Sequence, residues 1–528
     1  MNNRWKQFID IIKPNRFENN TIKSDILKCS ESAEKNNFNY CSFHDTSNVV
    51  VIYAKEDSPR KFNSIKKEYY KISINELKVN STYDIASIIR MYIEGIYIRS
   101  DNKYYHYHKG KWEIITSTFK SLIRKELIVL RGISDSMLLE IDKETNKEQY
   151  DLIKDLYIKL GDIGFTNKII DELNTMITIS PQEFSERFDN RVSLVLFNNG
   201  VYDLELLEFR DHSPNDFLTI STNYCYNQEP NEENIDFVLD RFEEFFPDHC
   251  LCEWMLYKIA SMFYGRNSSQ EFYIFQGIGS NGKSVLLELI NKLLGEYSTT
   301  VSVSLLTNKR GKSAEASPDL AKTVGRRLIT MQEPDHNSSI QPGLLKELTG
   351  CDRITARALY SSPIEFVPQF KMILCCNDLP SLNGVDDEGT WRRMRIIPFE
   401  SRFLDNIPDE SHNCFKRDSQ IINKMKECVP DFIHYLLNEC YNKFVICPER
   451  VKARTNEYRA DADLIQEFVN CCIEQCDNNI VLSATEIYEV YKQFIYDNYS
   501  PKELESKRTF MRKIKSKLNE SLSGYKLK

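Results

Sequence analysis

The stretch FYIFQGIGSNGKS, residues Phe272 to Ser284, decides the fold of the central part of this chain. Its first four residues are apolar or aromatic, which is typical of a buried β-strand. The eight residues from Gly277 to Ser284 match the pattern G-x-x-x-x-G-K-[ST] in full. An amphipathic helix is predicted from Ser284, and Gly295 follows it where a left-handed C-terminal cap belongs. The sequence therefore predicts strand, phosphate loop and helix in the order that nucleotide binding requires.

The residues of this loop have distinct expected roles. Backbone N–H groups of the loop and the positive end of the helix would surround phosphates. We expect Lys283 to reach the β- and γ-phosphates of ATP and Ser284 to bind Mg²⁺. The alternative is an ordinary strand-to-helix turn, but the flanking strand and the capped helix favour the phosphate loop. The predicted nucleotide-binding residues are Gly277, Ile278, Gly279, Ser280, Asn281, Gly282, Lys283 and Ser284.

A second apolar segment, Arg327–Met331, leads to an acid that could activate water. Glu333 is the candidate, as a catalytic residue and as a Mg²⁺ ligand. Many nucleoside triphosphatases carry two adjacent acids here, whereas this chain has Gln332 before Glu333. A water-mediated contact to Mg²⁺ and assistance from Asp335 therefore stay open. The alternative is a solvated glutamate after a core strand.

Two further segments add candidate catalytic residues. The apolar run 371–376 ends in Asn377, an amide placed to hold the attacking water. The segment 391–399 carries three arginines at the entry to a strand. Surface charge is one explanation for them, and an arginine finger offered to a neighbouring subunit is the other. Arg393 is the preferred finger and Arg392 the second candidate.

Composition excludes several classes of protein. The 528 residues are 41% hydrophobic and 28% charged, with only 18 Gly and 17 Pro, which excludes wholesale disorder and collagen-like structure. The net charge of −8 means that any nucleic-acid site must be a local basic patch. The 15 cysteines form no C-x-x-C pair, so we expect reduced thiols, no metal cluster and an intracellular protein. No apolar run approaches bilayer length, and neither secretion nor membrane association is expected.

The C-terminal segment is the clearest basic patch. Nine Lys and Arg residues but only three Glu residues lie between Lys502 and Lys528. A basic helix is predicted over Lys507–Leu518, and it could lie on DNA phosphates. A solvated tail is the alternative. The candidate DNA-binding residues in this helix are Lys507, Arg508, Arg512 and Lys513.

Taken together, these motifs resemble the superfamily 3 helicases. The similarity is to the helicase half of the primase-helicases of phages, plasmids and nucleocytoplasmic large DNA viruses, including the poxvirus-type nucleoside triphosphatase. It covers the chain from about Tyr83 onward through five core segments and flanking regions. In the first of these regions, apolar periodicity predicts a helix over Tyr83–Tyr97 beside short aromatic strands, which is typical of an α+β domain. The core segments are the phosphate loop, the acidic strand Arg327–Pro334, a motif with a DNA-facing hairpin at Leu344–Phe370, the sensor strand Lys371–Pro380 and the arginine segment Trp391–Phe399.

The resemblance implies an α/β fold with an AAA+-like P-loop core. An α+β helicase-associated domain would precede this core, and a small helical domain, with a winged helix as the candidate form, would follow it. The implied domains are a region of unknown role at 1–82, the helicase-associated domain at 83–235, the ATPase core at 236–405, a helical linker at 406–465 and a C-terminal DNA-binding domain at 466–528. The core would assemble into a ring, expected to be a hexamer, around single-stranded or forked DNA.

Two departures from the family pattern matter. The hairpin of the family usually bears Lys or His near its tip, but here Arg357 lies at the base and Tyr360 near the turn. Tyr360 could stack on bases instead, or pack against its own sheet. Residues 1–82 contain no D-x-D or D-x-E pair of a polymerase-type primase, so priming by this chain is not expected, and a separate primase or polymerase is a candidate partner.

The leading prediction is an ATP-dependent DNA helicase of viral or mobile-element replication, working with Mg²⁺ in the host cytoplasm if the source is a large DNA virus. The runner-up is a scaffold that binds nucleotide and DNA without unwinding and recruits a separate primase. A small-molecule kinase with the same loop is the third hypothesis. It leaves Asn377 and the arginine segment unexplained, and a scaffold has no need of Glu333.

Overall fold

The computed structural model describes residues 43–45, 48–50, 81–93, 95–115, 118–308, 316–334, 338–359, 363–382, 387–407, 412–441, 443–476, 482–499, 501, 504–518, 522–523 and 525–528. These residues divide into two units. The first unit contains the described residues up to Phe188 together with Ser213–Thr219. The second contains Asp189–His212 and the described residues from Ile220 onward.

The first unit combines short antiparallel strands with helices. Its strands are β1 (Phe43–Asp45), β2 (Asn48–Val50), β3 (Tyr97–Ser100), β4 (Lys103–His108) and β5 (Lys111–Ile114), and its helices are α1 (Thr82–Ile93), α2 (Phe119–Glu140), α3 (Lys147–Lys159), α4 (Ile163–Met176) and α5 (Pro181–Arg187). Strand β1 pairs with β2, and β3, β4 and β5 form a three-stranded meander. Buried apolar side chains such as Ile89, Leu130 and Leu173 form a shared core of α1, α2 and α4. The α+β character predicted for this region is present.

Helix α1 is shorter than the sequence predicted. The periodicity suggested a helix over Tyr83–Tyr97, but the helix ends at Ile93 and Tyr97 begins strand β3. Gly95 lies between them with a φ of +73°, in the left-handed region that favours glycine. Gly95 and Ile96, which the apolar pattern assigned to the helix, therefore lie in a turn, and Tyr97 lies in a strand.

The second unit contains the remaining elements. Its strands are β6 (Leu194–Phe197), β7 (Gly200–Asp203), β8 (Glu208–Arg210), β9 (Phe272–Gln276), β10 (Ser298–Thr300), β11 (Leu328–Gln332), β12 (Ile354–Ala356), β13 (Ile364–Phe366), β14 (Lys371–Cys376), β15 (Met394–Pro398), β16 (Arg402–Leu404), β17 (Cys414–Lys416), β18 (Ile473–Gln475) and β19 (Tyr525–Leu527). Its helices are α6 (Glu232–Phe245), α7 (His249–Ser261), α8 (Lys283–Leu294), α9 (Ser304–Thr307), α10 (Pro318–Ala321), α11 (Pro342–Thr349), α12 (Glu388–Trp391), α13 (Ile421–Glu427), α14 (Val429–Tyr435), α15 (Glu449–Asp461), α16 (Leu464–Cys472), α17 (Ala484–Asn498) and α18 (Lys507–Lys517).

A five-stranded parallel sheet forms the centre of this unit. Its strand order is β10-β11-β14-β9-β15, and every neighbouring pair is parallel. Strand β9 therefore lies between two neighbours, and β14 separates it from β11. Because parallel strands end at the same edge, the residues that follow β9, β11 and β14 meet there. The predicted α/β fold with a parallel central sheet is confirmed.

Both faces of the sheet are covered, as a parallel sheet requires. Alternate residues of β9 enter different cores. Tyr273 and Phe275 pack in a cluster that includes buried residues of α6, α7, α8 and α14. Phe272 and Ile274 pack in a second cluster with residues of α11 and α15. The continuous apolar run of β9 follows from this burial on both faces.

The C-terminal elements form a core of their own. Helices α16, α17 and α18 bury Phe468, Tyr491 and Phe510 against one another. Strands β18 and β19 pair antiparallel beside them. Three helices with a two-stranded sheet are the elements expected of a winged helix, and this assignment and the predicted domain boundaries stay predictions. Among the described helices, none combines the length and the apolar character needed to cross a membrane.

Candidate active site

The loop between β9 and α8 is the centre of the candidate site. Gly282 has a φ of +84°, and a Cβ atom on it would lie 2.6 Å from the ring of Phe245. A Cβ atom on Gly277 would lie 2.0 Å from the side-chain nitrogen of Asn281. Only glycine fits at these two positions. The loop therefore folds tightly, and the first turn of α8 follows it directly.

Lys283 is a buried cation with neutral partners. Its side chain is only 9% exposed. Its ammonium donates to the carbonyl of Gly277, and to the Oδ1 atoms of Asn281 and Asn377 at 3.2 Å each. Burial lowers the pKa of Lys283, while the carboxylate of Glu333 opposes that shift. Since these hydrogen-bond partners carry no charge, the ammonium is poised for an anion.

The carboxyl ends of β11 and β14 bring two further predicted residues to the loop. Asn377 follows β14, and its Nδ2 atom lies 3.4 Å from the Oε1 atom of Glu333. Glu333 follows β11 with a φ of +44°, and its backbone N–H donates to the carbonyl of Cys375 at 2.9 Å. A non-glycine residue in this region carries strain, which is often found at functional sites. Lys283, Asn377 and Glu333 thus form one connected group.

The donor set fits nucleotide phosphates and a metal ion such as Mg²⁺. The exposed hydroxyl of Ser284 lies in the first turn of α8, where the N–H groups at the helix start are free to bind phosphate. A Cβ atom built on Gly279 would meet nothing within 4 Å, so that part of the loop faces open space. Exposed carboxylate and hydroxyl oxygens are ligands that Mg²⁺ prefers. Asp335, the alternative acid, lies outside the described residues.

Cys375 and Cys376 form the wall beside Lys283 and are not additional anions. Both side chains are buried at the end of β14. Burial raises the pKa of each thiol to about 12. They are therefore neutral near pH 7, and the negative charge that faces Lys283 from this direction comes from Glu333.

The predicted finger arginines lie at the opposite edge of the sheet. Arg392 and Arg393 precede β15, and both donate to the Oε1 atom of Gln270, which precedes β9, at 2.6 Å. The five residues of β9 separate them from the loop by roughly 16 Å. Arg393 is 7% exposed and also donates to Thr349, whereas Arg392 is exposed. Neither arginine joins the phosphate loop of its own chain.

Arg417 contacts the loop although the sequence does not predict it. Arg417, directly after β17, donates from Nη2 to the Oγ atom of Ser280 at 2.9 Å. The backbone N–H of Phe403 in β16 donates to the carbonyl of Ser280 at 2.8 Å. No motif or spacing points to Arg417, because its position depends on the pairing of β16 with β17.

The predicted DNA-facing hairpin is present in part. Strands β12 and β13 pair antiparallel, and the exposed Arg357 follows β12 directly. The backbone N–H of Arg357 donates to the Oγ atom of Ser317 at 3.1 Å. Tyr360 lies outside the described residues, so the proposed stacking side chain has no structural account.

The basic helix is α18, and its cations differ in their surroundings. Lys513 pairs with Glu505 at 2.6 Å and Lys517 pairs with Asp463 at 2.5 Å. Lys507 donates to the hydroxyl of Thr485 at 3.0 Å. Within the described part of the chain, Arg508, Arg512 and Lys515 are exposed and have no acidic partner.

Comparison with known proteins places two family models on this chain. The model described as "D5 N terminal like" matches residues 86–248. A model described as a family of unknown function, DUF5906, matches residues 275–393. The second match contains the loop, the ends of β11 and β14, and the two candidate arginines Arg392 and Arg393.

Several viral proteins are similar to the chain over much of its length. "Putative helicase L207/L206" of Acanthamoeba polyphaga mimivirus is 32% identical over 88% of this chain and 51% of its own length. "Putative helicase 184R" of Invertebrate iridescent virus 6 is 30% identical over 69% of this chain and 37% of its own. "Putative primase C962R" of African swine fever virus (isolate Tick/Malawi/Lil 20-1/1983) is 24% identical over 61% of this chain and 35% of its own. The chain thus spans about half or less of the length of these relatives.

Among solved structures, the apo C-terminal region of NrS-1 is similar to this chain. The match has a TM-score of 0.42 and 11% sequence identity, and it covers 83% of this chain and 86% of that chain.

Proposed function

Starting from a D5-type N-terminal domain and relatives of the D5-type primase-helicase family of nucleocytoplasmic large DNA viruses, we propose that this chain is an ATP-dependent DNA helicase of superfamily 3. It would couple ATP hydrolysis to movement along single-stranded DNA during replication of viral DNA. The host cytoplasm is the proposed place of action. Unwinding activity, substrates and partners are all part of the proposal.

The observation that carries the proposal is the connected group of Lys283, Asn377 and Glu333 at the phosphate loop. Lys283 would bind the β- and γ-phosphates, because its buried ammonium has only neutral hydrogen-bond partners. Glu333 would accept the proton of the attacking water, and Asn377 would hold that water in line. Mg²⁺, bound by Ser284 and by Glu333 directly or through water, would neutralise charge on the phosphates.

We further propose a homo-oligomeric ring, with a hexamer as the expected form. Arg392 and Arg393 lie at the edge of the sheet away from their own phosphate loop, so they can reach a γ-phosphate only on a neighbouring subunit. Gln270 accepts from both side chains and holds the pair together. A ring would bring this edge against the loop of the next subunit. A separate primase or polymerase is a candidate partner of the assembly.

Two elements are proposed as DNA contacts. The hairpin of β12 and β13, with Arg357 at its base, would face the strand in the channel of the ring. Helix α18 would bind phosphates outside the channel, since Arg508 and Arg512 have no acidic partner among the residues that the structure describes. Lys507 and Lys513 are further candidates in this helix. Lys513 is paired with Glu505, so its binding to DNA would release fewer counter-ions than the binding of an unpaired cation.

A scaffold that binds nucleotide and DNA without unwinding is the second candidate function. It predicts nucleotide binding through Lys283 but needs no acid that activates water. Glu333 stands within hydrogen-bonding reach of Asn377, which favours a hydrolysing enzyme. The two functions differ in a single measurable property, turnover of ATP.

Strand displacement on forked DNA, measured beside ATP hydrolysis with and without single-stranded DNA, tests the proposal. A helicase should hydrolyse ATP faster with DNA present and should separate the fork, and Lys283→Ala should abolish both activities. Nucleotide binding without hydrolysis would favour the scaffold. Hydrolysis that a small-molecule acceptor stimulates, with no response to DNA, would favour a kinase.

A further inference from the structure

The segment that follows β15 packs against the phosphate loop. Asn281 donates to the carbonyl of Phe399 at 3.4 Å, and Phe403 donates from its backbone to Ser280 at 2.8 Å. The ring of Phe403 also lies against Gly282, since a Cβ atom there would be 3.0 Å from it. The β16–β17 pair therefore packs directly on the loop, and Arg417 is the first residue beyond that pair.

The backbone of Arg417 is hydrogen-bonded to β16, whereas its guanidinium is partly exposed to solvent. Its N–H donates to the carbonyl of Leu404 at 2.9 Å, which ties it to the end of β16. Its side chain is 47% exposed, and the acid that it pairs with among the described residues, Asp405, lies 3.7 Å away and is 77% exposed. Exposed ion pairs of this kind contribute little to stability. The guanidinium can thus exchange its present partner for a phosphate at little cost.

Arg417 differs in this respect from Arg393 and Arg395. Arg393 is buried and donates to Thr349, Gly389 and Gln270, and Arg395 pairs with the buried Glu271 at 3.1 Å. Each of those two side chains has buried partners within the fold. Among the described residues, the guanidinium of Arg417 donates to the hydroxyl of Ser280, a loop residue whose φ is +57°, and pairs loosely with the exposed Asp405.

We propose that Arg417 binds the γ-phosphate of the nucleotide in its own subunit, as a second cation beside Lys283. This inference rests on the proposed nucleotide-binding function. The guanidinium touches Ser280 in the loop whose backbone would surround the phosphates, whereas Lys283 contacts Asn377 at the end of β14. A planar fork of N–H donors suits phosphate oxygens better than an ammonium does. In this arrangement, two cations from different segments of the chain would hold the terminal phosphate.

A different role for Arg417 would be to hold the empty loop through Ser280 and nothing more. The two roles make different predictions for nucleotides that differ by one phosphate. Loss of a γ-phosphate contact weakens binding of ATP and spares ADP. Loss of a support for the loop weakens both equally, because the loop surrounds the phosphates that they share.

Calorimetric titration of the full chain with Mg²⁺ and either a non-hydrolysable ATP analogue or ADP tests the inference. Arg417→Gln should weaken binding of the analogue by about 10-fold, which is the size of a charge-assisted contact, and binding of ADP by less than about 3-fold. Arg417→Lys should recover part of the loss because it keeps the charge. Arg402→Gln, which removes an exposed arginine from β16, is the matched control and should bind both nucleotides as the unchanged chain does.

Equal weakening of both nucleotides by Arg417→Gln, or no weakening of either, would overturn the role of Arg417 and leave the proposed function intact. Failure of the unchanged chain to bind either nucleotide would overturn both the inference and the proposed function. The thermal unfolding midpoint of each variant is measured alongside, and the exposure of Arg417 leads us to expect no change in it.

Discussion

The Nζ atom of Lys283 lies 3.2 Å from the Oδ1 atom of Asn377, which joins the phosphate loop to the end of the neighbouring strand β14. Asn377 in turn contacts Glu333 at the end of β11. Three residues that are distant in sequence therefore share one hydrogen-bonded group. A change at one of them should alter a different step of the reaction from a change at either of the others.

Lys283→Ala should abolish nucleotide binding, and Glu333→Gln should keep binding but stop hydrolysis. The first change removes the buried cation that faces the phosphates, and the second removes only the carboxylate that accepts a proton from water. Equilibrium binding of labelled ATP and steady-state hydrolysis separate the two effects. Normal hydrolysis by Glu333→Gln would exclude Glu333 as the base and make Asp335 the candidate.

Asn377→Ala should lower kcat by about 10²-fold while affinity for ATP changes little, because one positioned polar contact to the reacting water is lost. Single-turnover hydrolysis at saturating ATP measures this effect. Asp378→Ala, which changes the exposed neighbour, is the control. A loss of affinity as large as the loss of rate would mean that Asn377 acts by holding Lys283 and not by orienting water.

Mixing Arg393→Ala subunits with Lys283→Ala subunits should restore part of the hydrolysis that each lacks alone. The restored sites would pair an intact loop with an intact arginine of the neighbour, and such fingers supply about 10³–10⁵ in rate. Hydrolysis as a function of mixing ratio is the measurement.

Arg393 also holds Thr349 and Gln270, so the thermal midpoint of Arg393→Ala must be measured first. Arg392→Ala provides a comparison, since Arg392 shares Gln270 but is exposed. Activity that is strictly additive on mixing would place the arginine within its own subunit.

Replacing Arg508, Arg512 and Lys515 with Gln should reduce the salt dependence of single-stranded DNA binding by about 2 in the slope of log K against log salt, or about 0.7 per phosphate contact. Hydrolysis without DNA should persist. Affinity measured across a salt series gives the slope. Lys513→Gln with Lys517→Gln is the comparison, and because both lysines are paired with acids we expect a smaller change. An unchanged slope in both variants would leave the channel as the DNA site.

Lys371 should make stability rise with pH above neutrality. Burial, together with the charges of Arg327 and Lys258, lowers its pKa from 10.5 to about 7. Between these two values the unfolded chain binds a proton that the folded chain does not. The free energy of unfolding therefore rises with pH between about 7 and 10.5, by up to about 1.4 kcal/mol per pH unit. This gain in stability is lost as pH falls toward 7, because the folded chain must then bind the proton in the buried site as well.

Lys371→Met should remove that slope. The variant also loses the hydrogen bonds to the carbonyls of Tyr264 and Arg266, but this loss does not depend on pH. The difference between the stability profiles of the variant and the unchanged chain therefore isolates the titration of Lys371. Urea unfolding from about pH 7 to about pH 9.5 measures it. Lys416→Met, a change at an exposed lysine of β17, should leave the profile as it is. Parallel profiles for Lys371→Met and the unchanged chain would show that Lys371 keeps its proton.

Local pattern predicted much of the core. The run of apolar residues before Gly277, the glycine loop and the amphipathic helix were all found as expected, because strand and helix periods and the steric needs of glycine act over a few residues. The helix predicted over Tyr83–Tyr97 was wrong at its end for the same reason. An apolar pattern alone does not show whether the chain turns at Gly95, which the pairing of β3 with β4 decides.

By itself, the sequence determined the α/β class and the residues of the phosphate loop, since these depend on short-range periodicity and on residue type. The tertiary structure decided which residues meet. The order β11-β14-β9 brings Glu333 and Asn377 to Lys283, the same parallel arrangement holds Arg393 at the opposite edge, and the pairing of β16 with β17 delivers Arg417 to Ser280. Contacts of this kind depend on which strands become neighbours, and the free energy of the whole packed core selects that arrangement, beyond the reach of any local pattern.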